Sequence, residues 1–270
     1  MIVTLILAFL IIIYIYSRKL RNNKRKPISR KKKIENFNLG SSHFKHAFKS
    51  VKNEKFLNLA NESQTLYYDF LLLQEYLKFI ENGKICFLTL SYFSFASKEV
   101  WLESDLEKYF YILDKRNFKG KYRLYYYIYN YFPFLRKKFK LKKGNAKSEE
   151  ERIKGHIKRL KNKEYLNLNL ELLDKIIMEC KNRDIDVILL TTPFKEKYNK
   201  NFLENDLEEN FYKHIKVIIQ RYKIKYIDFS RDKNFEEDDF LVDDYDHLSE
   251  KGSKKFVEKL EKILGIKFLI

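Results

Sequence analysis

The sequence contains little glycine, proline or cysteine. Of its 270 residues, seven are glycine, three are proline and two are cysteine. So few glycines and prolines argue against a disordered or loop-rich protein, and a hydrophobic content of 45% is enough for a substantial core. The two cysteines, Cys86 and Cys180, lack the spacing of a zinc site and support no disulfide, so we expect two inert thiols in the core.

Acidic residues are absent from two stretches that are rich in lysine and arginine. Residues 17–33 carry ten basic residues and residues 115–147 carry twelve, and neither stretch contains an aspartate or a glutamate. Because the formal net charge of the whole chain is +18, the remainder of the chain is mildly acidic. The positive charge therefore belongs to two segments and not to the fold as a whole.

Charged side chains are also absent from residues 1–16. A spanning helix usually needs about 17–25 apolar residues, so this segment is at the short end of the range. A cleaved signal peptide would need a basic start and a small-residue cleavage site, and neither is present. We expect a transmembrane anchor at residues 1–16 and a basic juxtamembrane linker at residues 17–33, with a buried strand or helix as the alternative.

From residue 34 onwards, strand-like and helix-like segments alternate. The expected strands are residues 34–39, 55–60, 84–91, 187–193 and 224–229. The expected helices are residues 43–52, 62–82 (closed by Gly83), 166–182, 205–222 and 250–264. This alternation predicts an α/β fold with a doubly wound, flavodoxin-like, five-stranded parallel sheet and helices on both faces. The α/β domain would span residues 34–270, with a helical insertion at residues 98–165.

A candidate nucleophile follows the first expected strand. Gly40, Ser41 and Ser42 end an apolar run and lead at once into a helix-compatible segment. Such a junction places a serine hydroxyl beside the unpaired N–H groups of a helix start, which can hold an oxyanion. A plain helix-capping serine is the alternative.

A candidate base lies about 200 residues downstream, in an acidic loop. Asp244 stands three residues before His247. A serine nucleophile needs an imidazole base, and a carboxylate fixes the tautomer of that base, so one turn could supply both groups. The alternative is an acidic loop with a solvated histidine, or an oxygen-only metal site formed by residues 236–239 with Asp243 and Asp246.

Several polar residues fall at the same edge of the predicted sheet. Parallel strands gather their carboxyl ends at one edge, where ligands bind. Besides Ser42 and the His247 loop, the residues expected there are Asn61, Ser91 and Thr192.

The two motifs together resemble the SGNH/GDSL hydrolase superfamily. The Gly-Ser-Ser block and the Asp-x-x-His block are similar to those of the membrane-anchored SGNH-like proteins of envelope-polymer acylation, which include the teichoic-acid D-alanyl transfer proteins. The resemblance covers residues 34–97 and 165–265. It implies a catalytic triad of Ser42, Asp244 and His247, and no cofactor and no metal.

The resemblance also implies an acyl-ester chemistry at a particular site. The protein would be an esterase or an O-acyltransferase acting on a polysaccharide or a related envelope polymer. Oxyanion or substrate contacts would come from the Ser42 and Ala60 N–H groups and from Asn61, Ser91 and Thr192. The sequence has Ala60 where the family has a glycine, and no Gly-x-Asn-Asp block follows the third strand.

The insertion mixes basic residues with aromatic ones, mainly at residues 122–134. Such a mixture could bind nucleic acid, lie on an anionic membrane surface or form a helical cap with tyrosines on the core. The apolar N-terminus favours the membrane over nucleic acid, and the cap alternative stays open. A cap inserted after the third strand would lie over the predicted active-site edge.

The expected partners follow from these features. They are membrane lipid, an acylated envelope polymer and a membrane-embedded protein that delivers acyl groups; nucleic acid is not expected. The basic linker predicts a cytoplasmic domain by the positive-inside rule, whereas the resemblance implies an extracytoplasmic one. The rival to the enzyme is a degenerate SGNH-fold scaffold in polymer synthesis. Of the other histidines, His43 and His46 could line the pocket, although surface positions are favoured, and His156 and His214 are expected in solvent.

Overall fold

The computed structural model describes residues 33–100, 102–136, 139, 141 and 148–267, together with Thr4, Ile11, Ile12 and Ile15. These four N-terminal residues are helical, and the rest of the predicted anchor and linker, up to residue 32, lies outside the described residues. Among the described residues, no helix is long and apolar enough to cross a membrane. The chain divides into two compact units, one of residues 1–31 and 101–145 and the other of residues 32–100 and 146–270.

The second unit, which we call the sheet unit, contains one five-stranded sheet. Its strands are β1 (Ile34–Leu39), β2 (Phe56–Asn58), β3 (Ile80–Thr89), β4 (Asp186–Thr191) and β5 (Lys225–Asp228). All neighbouring strands are parallel, and their order is β2-β1-β3-β4-β5. The predicted α/β fold with a five-stranded parallel sheet is confirmed.

The helices connect the strands and build the insertion. They are α1 (Ser42–Ala47), α2 (Leu66–Tyr76), α3 (Glu107–Phe110), α4 (Gly120–Tyr131), α5 (Glu149–Leu160), α6 (Leu166–Lys181), α7 (Glu196–Asn199), α8 (Glu204–Leu207), α9 (Lys213–Tyr222) and α10 (Glu250–Leu264). A π-helical turn at Glu208–Tyr212 joins α8 to α9. Short 3₁₀ turns lie at Leu77–Phe79, Ser94–Ala96, Glu103–Leu106, Lys115–Asn117, Pro133–Leu135 and Glu237–Asp239.

The three central strands, β1, β3 and β4, are buried on both faces towards their carboxyl ends, where consecutive residues are buried, whereas β2 and β5 contain no buried residue. On one face, Phe87 of β3 and Leu190 of β4 share a core cluster with Phe44 of α1 and Phe256 of α10. Side chains alternate along a strand, so Cys86 points to the opposite face, where it lies beside Cys180 of α6. Both cysteines are free and buried, and burial raises the pKa of the Cys86 thiol.

The predicted helix at residues 62–82 was wrong at its carboxyl end. The helix α2 stops at Tyr76, and β3 already begins at Ile80. Gly83 has a φ of +68° and lies where the pairing of β1 with β3 shifts register, between the partners Ile80 and Ile85. A glycine in the left-handed region serves a strand irregularity as readily as a helix cap, so the sequence signal was ambiguous.

The other unit has an aromatic core of its own. Its buried aromatic residues include Tyr109, Phe110, Phe118, Tyr126 and Tyr129. Asn130 is also buried and donates to the carbonyls of Phe110 and Tyr126 at 2.7 and 2.9 Å. Several tyrosines of the basic-aromatic stretch thus pack against one another within this unit. The helix α5, which the sequence grouped with the insertion, belongs to the sheet unit.

Candidate active site

The sheet unit brings Ser42, His247 and Asp244 into one hydrogen-bonded chain. Ser42 is the first residue of α1, directly after β1, and His247 lies in the loop before α10. The Nε2 atom of His247 lies 2.8 Å from the Ser42 hydroxyl, and its Nδ1 atom lies 2.8 Å from Oδ2 of Asp244. Ser42 as a residue is half-buried. An imidazole held between a carboxylate and a serine can take the serine proton.

The turn that presents Ser42 depends on Gly40. Its φ is +137°, and a side-chain Cβ at this position would approach Thr89 to 3.0 Å. The Gly40 N–H donates to Oδ1 of the buried Asp69, on α2, at 2.8 Å. Ser41 is the helix-capping residue of α1, but its side chain makes no cap hydrogen bond. The turn is therefore fixed by the glycine and by Asp69, and Ser42 is left to face His247.

The loop that carries His247 is closed by its own backbone. Phe240 pairs with Leu248 in an antiparallel bridge, and the Leu241 N–H donates to the His247 carbonyl at 2.9 Å. The Oδ1 atom of Asp244 accepts the N–H groups of Asp246 and His247 at 3.0 and 3.1 Å. Asp244 thus holds the loop with one oxygen and the imidazole with the other.

Next to the hydrogen bonds of Ser42, His247 and Asp244 lies a buried group of polar side chains that we did not predict from the sequence. Asp246 is fully buried, and its Oδ2 lies 2.9 Å from Nε2 of His43. The other ring nitrogen of His43 lies 2.6 Å from the Ser91 hydroxyl. Of the two positions considered for His43, the favoured one at the surface was wrong, since the residue is 3% exposed. The ring centroids of His43 and His247 are 4.9 Å apart.

Arg152 of α5 joins the carboxylates of this set. Its guanidinium contacts Asp244 at 3.2 and 3.3 Å, Glu149 at 3.1 Å, and Asp246. One turn further along α5, His156 is buried and lies 2.9 Å from the hydroxyl of Tyr198, so its predicted solvated position was also wrong.

A sequence signal for the buried His156 existed. Ile153, His156 and Leu160 are the buried residues of α5 and follow a helical spacing of three and four. Of the remaining histidines, His46 is partly buried, with its ring centroid 5.0 Å from that of His247, and His214 is half-buried.

Burial and charge set the protonation states of the site. Burial acts against the charged form of His247, but hydrogen bonds to Asp244 and Asp246 outweigh it and raise its pKa to about 10. Burial also acts against the ionised Asp246, yet His43 and His247 hold its pKa well below the usual range. Burial lowers the pKa of His43 and lowers that of His156 to about 3. At neutral pH, His247 is therefore the charged histidine of this group.

The residues predicted to contact the oxyanion or the substrate differ in the hydrogen bonds that they already make within the fold. The Ala60 N–H donates to the Asn58 side chain at 3.1 Å, and the Ser91 hydroxyl is bonded to His43, so both already have partners within the fold. The Asn61 N–H donates to the Gly40 carbonyl at 3.2 Å, which places Asn61 beside the Ser42 turn. The Thr192 hydroxyl is buried and has no hydrogen-bond partner among the described residues.

Among the residues that the structure describes, two groups of side chains have the spacing of a metal site. The ligand atoms of His43, Asp246 and His247 lie within 4.8 Å of one another, as do those of Glu149, Asp244 and Asp246. Arg152 already lies among these carboxylates and supplies the positive charge that a metal would bring.

In the acidic run at residues 236–239, three carboxylates, those of Glu237, Asp238 and Asp239, are paired with lysines. Glu237 pairs with Lys195 at 2.6 Å, and Asp239 pairs with Lys255 at 2.7 Å. The arrangement of these side chains is that of salt bridges across the loop.

Comparison with known proteins gives one family match. Residues 126–264 match the family described as DltD protein, a range that includes Asp244 and His247 but not Ser42. A comparison with curated protein sequences found no match.

Solved structures with a similar course of the chain include three bacterial proteins. Protein YXIM from Bacillus subtilis is 14% identical, with a TM-score of 0.44 over 87% of this chain and 58% of that one. This chain thus spans little more than half the length of that protein. A GDSL-like lipase from Bacteroides thetaiotaomicron is 9% identical, with a TM-score of 0.41 over 93% and 96% of the two chains. A catalytic mutant of an acetylxylan esterase from Geobacillus stearothermophilus is 11% identical, with a TM-score of 0.41 over 89% and 99%.

Proposed function

The chain belongs to the DltD protein family, and from this premise we propose that it is a serine-dependent acyl-ester hydrolase or O-acyltransferase that acts on a cell-envelope polymer. The hydrogen-bonded chain from Ser42 through His247 to Asp244 carries the proposal, because both distances of 2.8 Å fit a nucleophile, its base and the carboxylate that orients the base. The resemblance to teichoic-acid D-alanyl transfer proteins directs the proposal to an envelope polymer.

The proposed reaction has two steps. Ser42 Oγ attacks the acyl carbonyl while its proton passes to Nε2 of His247, and the ester C–O bond then breaks as His247 gives that proton to the leaving alcohol. In the second step an acceptor hydroxyl attacks the acyl-serine while its proton passes to His247. The bond between the acyl carbon and Ser42 Oγ then breaks, and His247 returns the proton to Ser42 Oγ. Water as the acceptor gives an esterase, and a polymer hydroxyl gives an acyltransferase. Asp244 orients the imidazole in both steps.

The oxyanion of each step needs donors beside Ser42. The Ser42 N–H, in the first turn of α1, has no acceptor within that helix and is the first donor. Asn61 lies next to the turn and can offer its side-chain amide as the second. Ala60, Ser91 and Thr192 serve only if the loops around them rearrange when substrate binds.

The protonation of His247 sets the proposed pH dependence. A general base must be neutral before it can accept a proton, and this imidazole has a pKa of about 10 in the free protein. Below that value the rate constant kcat/KM should rise about tenfold per pH unit. A flat profile between pH 6 and 9 would contradict a base with a pKa of about 10.

The proposed location is a membrane, with residues 1–16 as a single-pass anchor. Residues 101–145 of the other unit, which we call the aromatic unit, would lie on the lipid surface. The partners are then membrane lipid, the acylated polymer and a membrane-embedded protein that delivers acyl groups. The positive-inside rule puts the sheet unit in the cytoplasm, whereas acylation of an outer polymer requires the opposite side. Protease digestion of intact cells distinguishes the two sides.

One observation favours a second candidate function, a scaffold without catalysis. The Ala60 N–H and the Ser91 hydroxyl, which the resemblance assigns to substrate, both have internal partners. A scaffold would need the fold but not the serine.

The acyl content of the surface polymer in bacteria that carry single variants separates the two functions. Ser42→Ala and His247→Ala should abolish acylation, and Asp244→Asn should lower catalysis by about 10⁴ through the wrong imidazole tautomer. Ser41→Ala is the matched control and should keep acylation, because the Ser41 hydroxyl does not contact His247. Normal acylation in all the point variants, with loss only on deletion of the whole protein, would establish the scaffold.

A further inference from the structure

The His247 imidazole faces two carboxylates. Its Nδ1 atom lies 2.8 Å from Oδ2 of Asp244 and 3.2 Å from Oδ1 of Asp246. One carboxylate is enough to fix the tautomer of a base, so the second one needs an explanation. Acidic residues usually lie at the surface, but the side chain of Asp246 is fully buried, with 0% exposed.

A buried carboxylate is costly unless positive charge and hydrogen bonds compensate it. His43 supplies one hydrogen bond to Asp246, at 2.9 Å. Burial keeps His43 neutral at pH 7, so this contact brings no positive charge. The positive charge comes from Arg152, whose guanidinium contacts Asp246 and Asp244 at once.

Arg152 reaches the two carboxylates from a helix that is distant from them in sequence. Arg152 belongs to α5, which precedes the His247 loop by about 90 residues and packs near the 3₁₀ turn that follows β3. The planar guanidinium can bond two carboxylates in a fixed geometry, which a lysine cannot do. It therefore sets both the separation of Asp244 and Asp246 and the net charge that they present to His247.

We propose that Asp246 and Arg152 are positioning residues that together set the basicity and the orientation of His247. Asp246 favours the protonated imidazole, and Arg152 opposes it by neutralising part of the carboxylate charge. Asp244 alone would leave the ring free to tilt, whereas the pair holds Nδ1 between two acceptors. The effect on catalysis rests on the proposed function, but the effect on the imidazole does not.

Other titratable groups also face His247 and must stay constant in the test. From α1 these are His43 and His46, whose ring centroids lie 4.9 and 5.0 Å from that of His247. Glu62, in the segment after β2, acts electrostatically on His247, and Glu149 of α5 pairs with Arg152.

The test is an NMR titration of the His247 imidazole in the full chain, labelled with ¹⁵N-histidine in detergent micelles and assigned with His247→Gln. Asp246→Asn should lower the pKa of His247 by about one unit or more, because the substitution removes a negative charge next to the imidazole. Arg152→Met should raise it, since the compensating cation is lost. Arg152→Lys keeps the charge and should leave the pKa within a few tenths, while it lowers kcat through the lost two-point contact.

The opposite signs of the two shifts are the decisive result. Lys154→Met, which removes an exposed charge from the same helix, is the control and should not move the titration. Equal pKa values in wild type, Asp246→Asn and Arg152→Met would overturn the inference, as would shifts of the same sign. If Asp246→Asn does not fold, the comparison of Arg152→Met with Arg152→Lys decides alone. A wild type that titrates as expected but cleaves no ester would contradict the proposed function and leave this inference standing.

Discussion

Replacing Gly252 by alanine tests how the start of α10 holds the loop that carries His247. Gly252 is buried in the first turn of α10, and a Cβ at this position would lie 1.9 Å from the carbonyl oxygen of Asp239. The same oxygen accepts the Ser249 N–H at 2.9 Å, and Ser249 caps the helix by accepting the Gly252 N–H at 3.2 Å. The blocking atom belongs to the backbone, so either the helix start or the Asp239 turn must move by more than 1 Å.

The change in the free energy of unfolding for Gly252→Ala combines one stabilising contribution with several destabilising ones. Alanine is favoured over glycine in a helix by about 1 kcal/mol. Overpacking costs about 1–3 kcal/mol, and loss of the cap and of the Ser249 hydrogen bond costs about 1 kcal/mol each. The net expectation for Gly252→Ala is a destabilisation of roughly 2–4 kcal/mol, with a slower reaction at Ser42 because His247 lies two residues before Ser249.

Gly155→Ala is the matched control. Gly155 lies inside α5, and a Cβ there would meet nothing within 4 Å. The same substitution should therefore stabilise the protein by about 0.5–1 kcal/mol. Urea unfolding gives both values from the midpoint at an unchanged slope. Equal midpoints for the two variants would refute the packing argument at Gly252.

Two further predictions concern acid stability and the lipid surface. Burial lowers the pKa of His156 to about 3 in the folded state, against about 6.5 in the unfolded state. As the pH falls from 6.5 towards 3, the unfolded chain binds a proton at His156 that the folded protein does not, so the folded protein loses stability. At pH 4.5 the loss is about 2–3 kcal/mol, and His156→Gln should reduce the difference between urea midpoints at pH 7 and 4.5; an unchanged difference would contradict the assignment. Leu124 and Phe134 are 54% and 61% exposed in a unit rich in lysine and arginine. Serine at both positions should therefore weaken the binding of a protein without residues 1–33 to anionic vesicles, which sedimentation measures. Serine at the 66% exposed Leu203 of the sheet unit is the control, and equal losses would remove the aromatic unit as the lipid contact.

Local patterns predicted the sheet and its closing helix well. Residues 34–39 and 250–264 have the bounds that the structure shows for β1 and α10. The signals at α10 are explicit, because Ser249 caps its start and Gly265, with a φ of +68°, ends it. The helix at residues 62–82 failed because Gly83 carries the same sequence signal at a strand irregularity as at a cap.

The site was predictable only in part. The Gly-Ser-Ser and Asp-x-x-His blocks are local motifs, and the structure brings Ser42, Asp244 and His247 together. The groups behind them were missed because their contacts join residues that are far apart in sequence: Arg152 meets Asp244 across 92 positions and His43 meets Asp246 across 203. A single sequence gives no signal for such pairs. The anchor expected at residues 1–16 lies largely outside the described residues and stays a prediction.

The central claim is that Ser42 is an activated nucleophile. Labelling of the full chain with a fluorophosphonate, followed by peptide mass mapping, measures this directly. We expect one label per chain on the peptide that contains Ser42, no label with Ser42→Ala, a greatly reduced rate with His247→Ala and normal labelling with Ser41→Ala. Label that persists in Ser42→Ala at the wild-type rate, or a wild-type protein that takes up none between pH 7 and 10, would contradict the account.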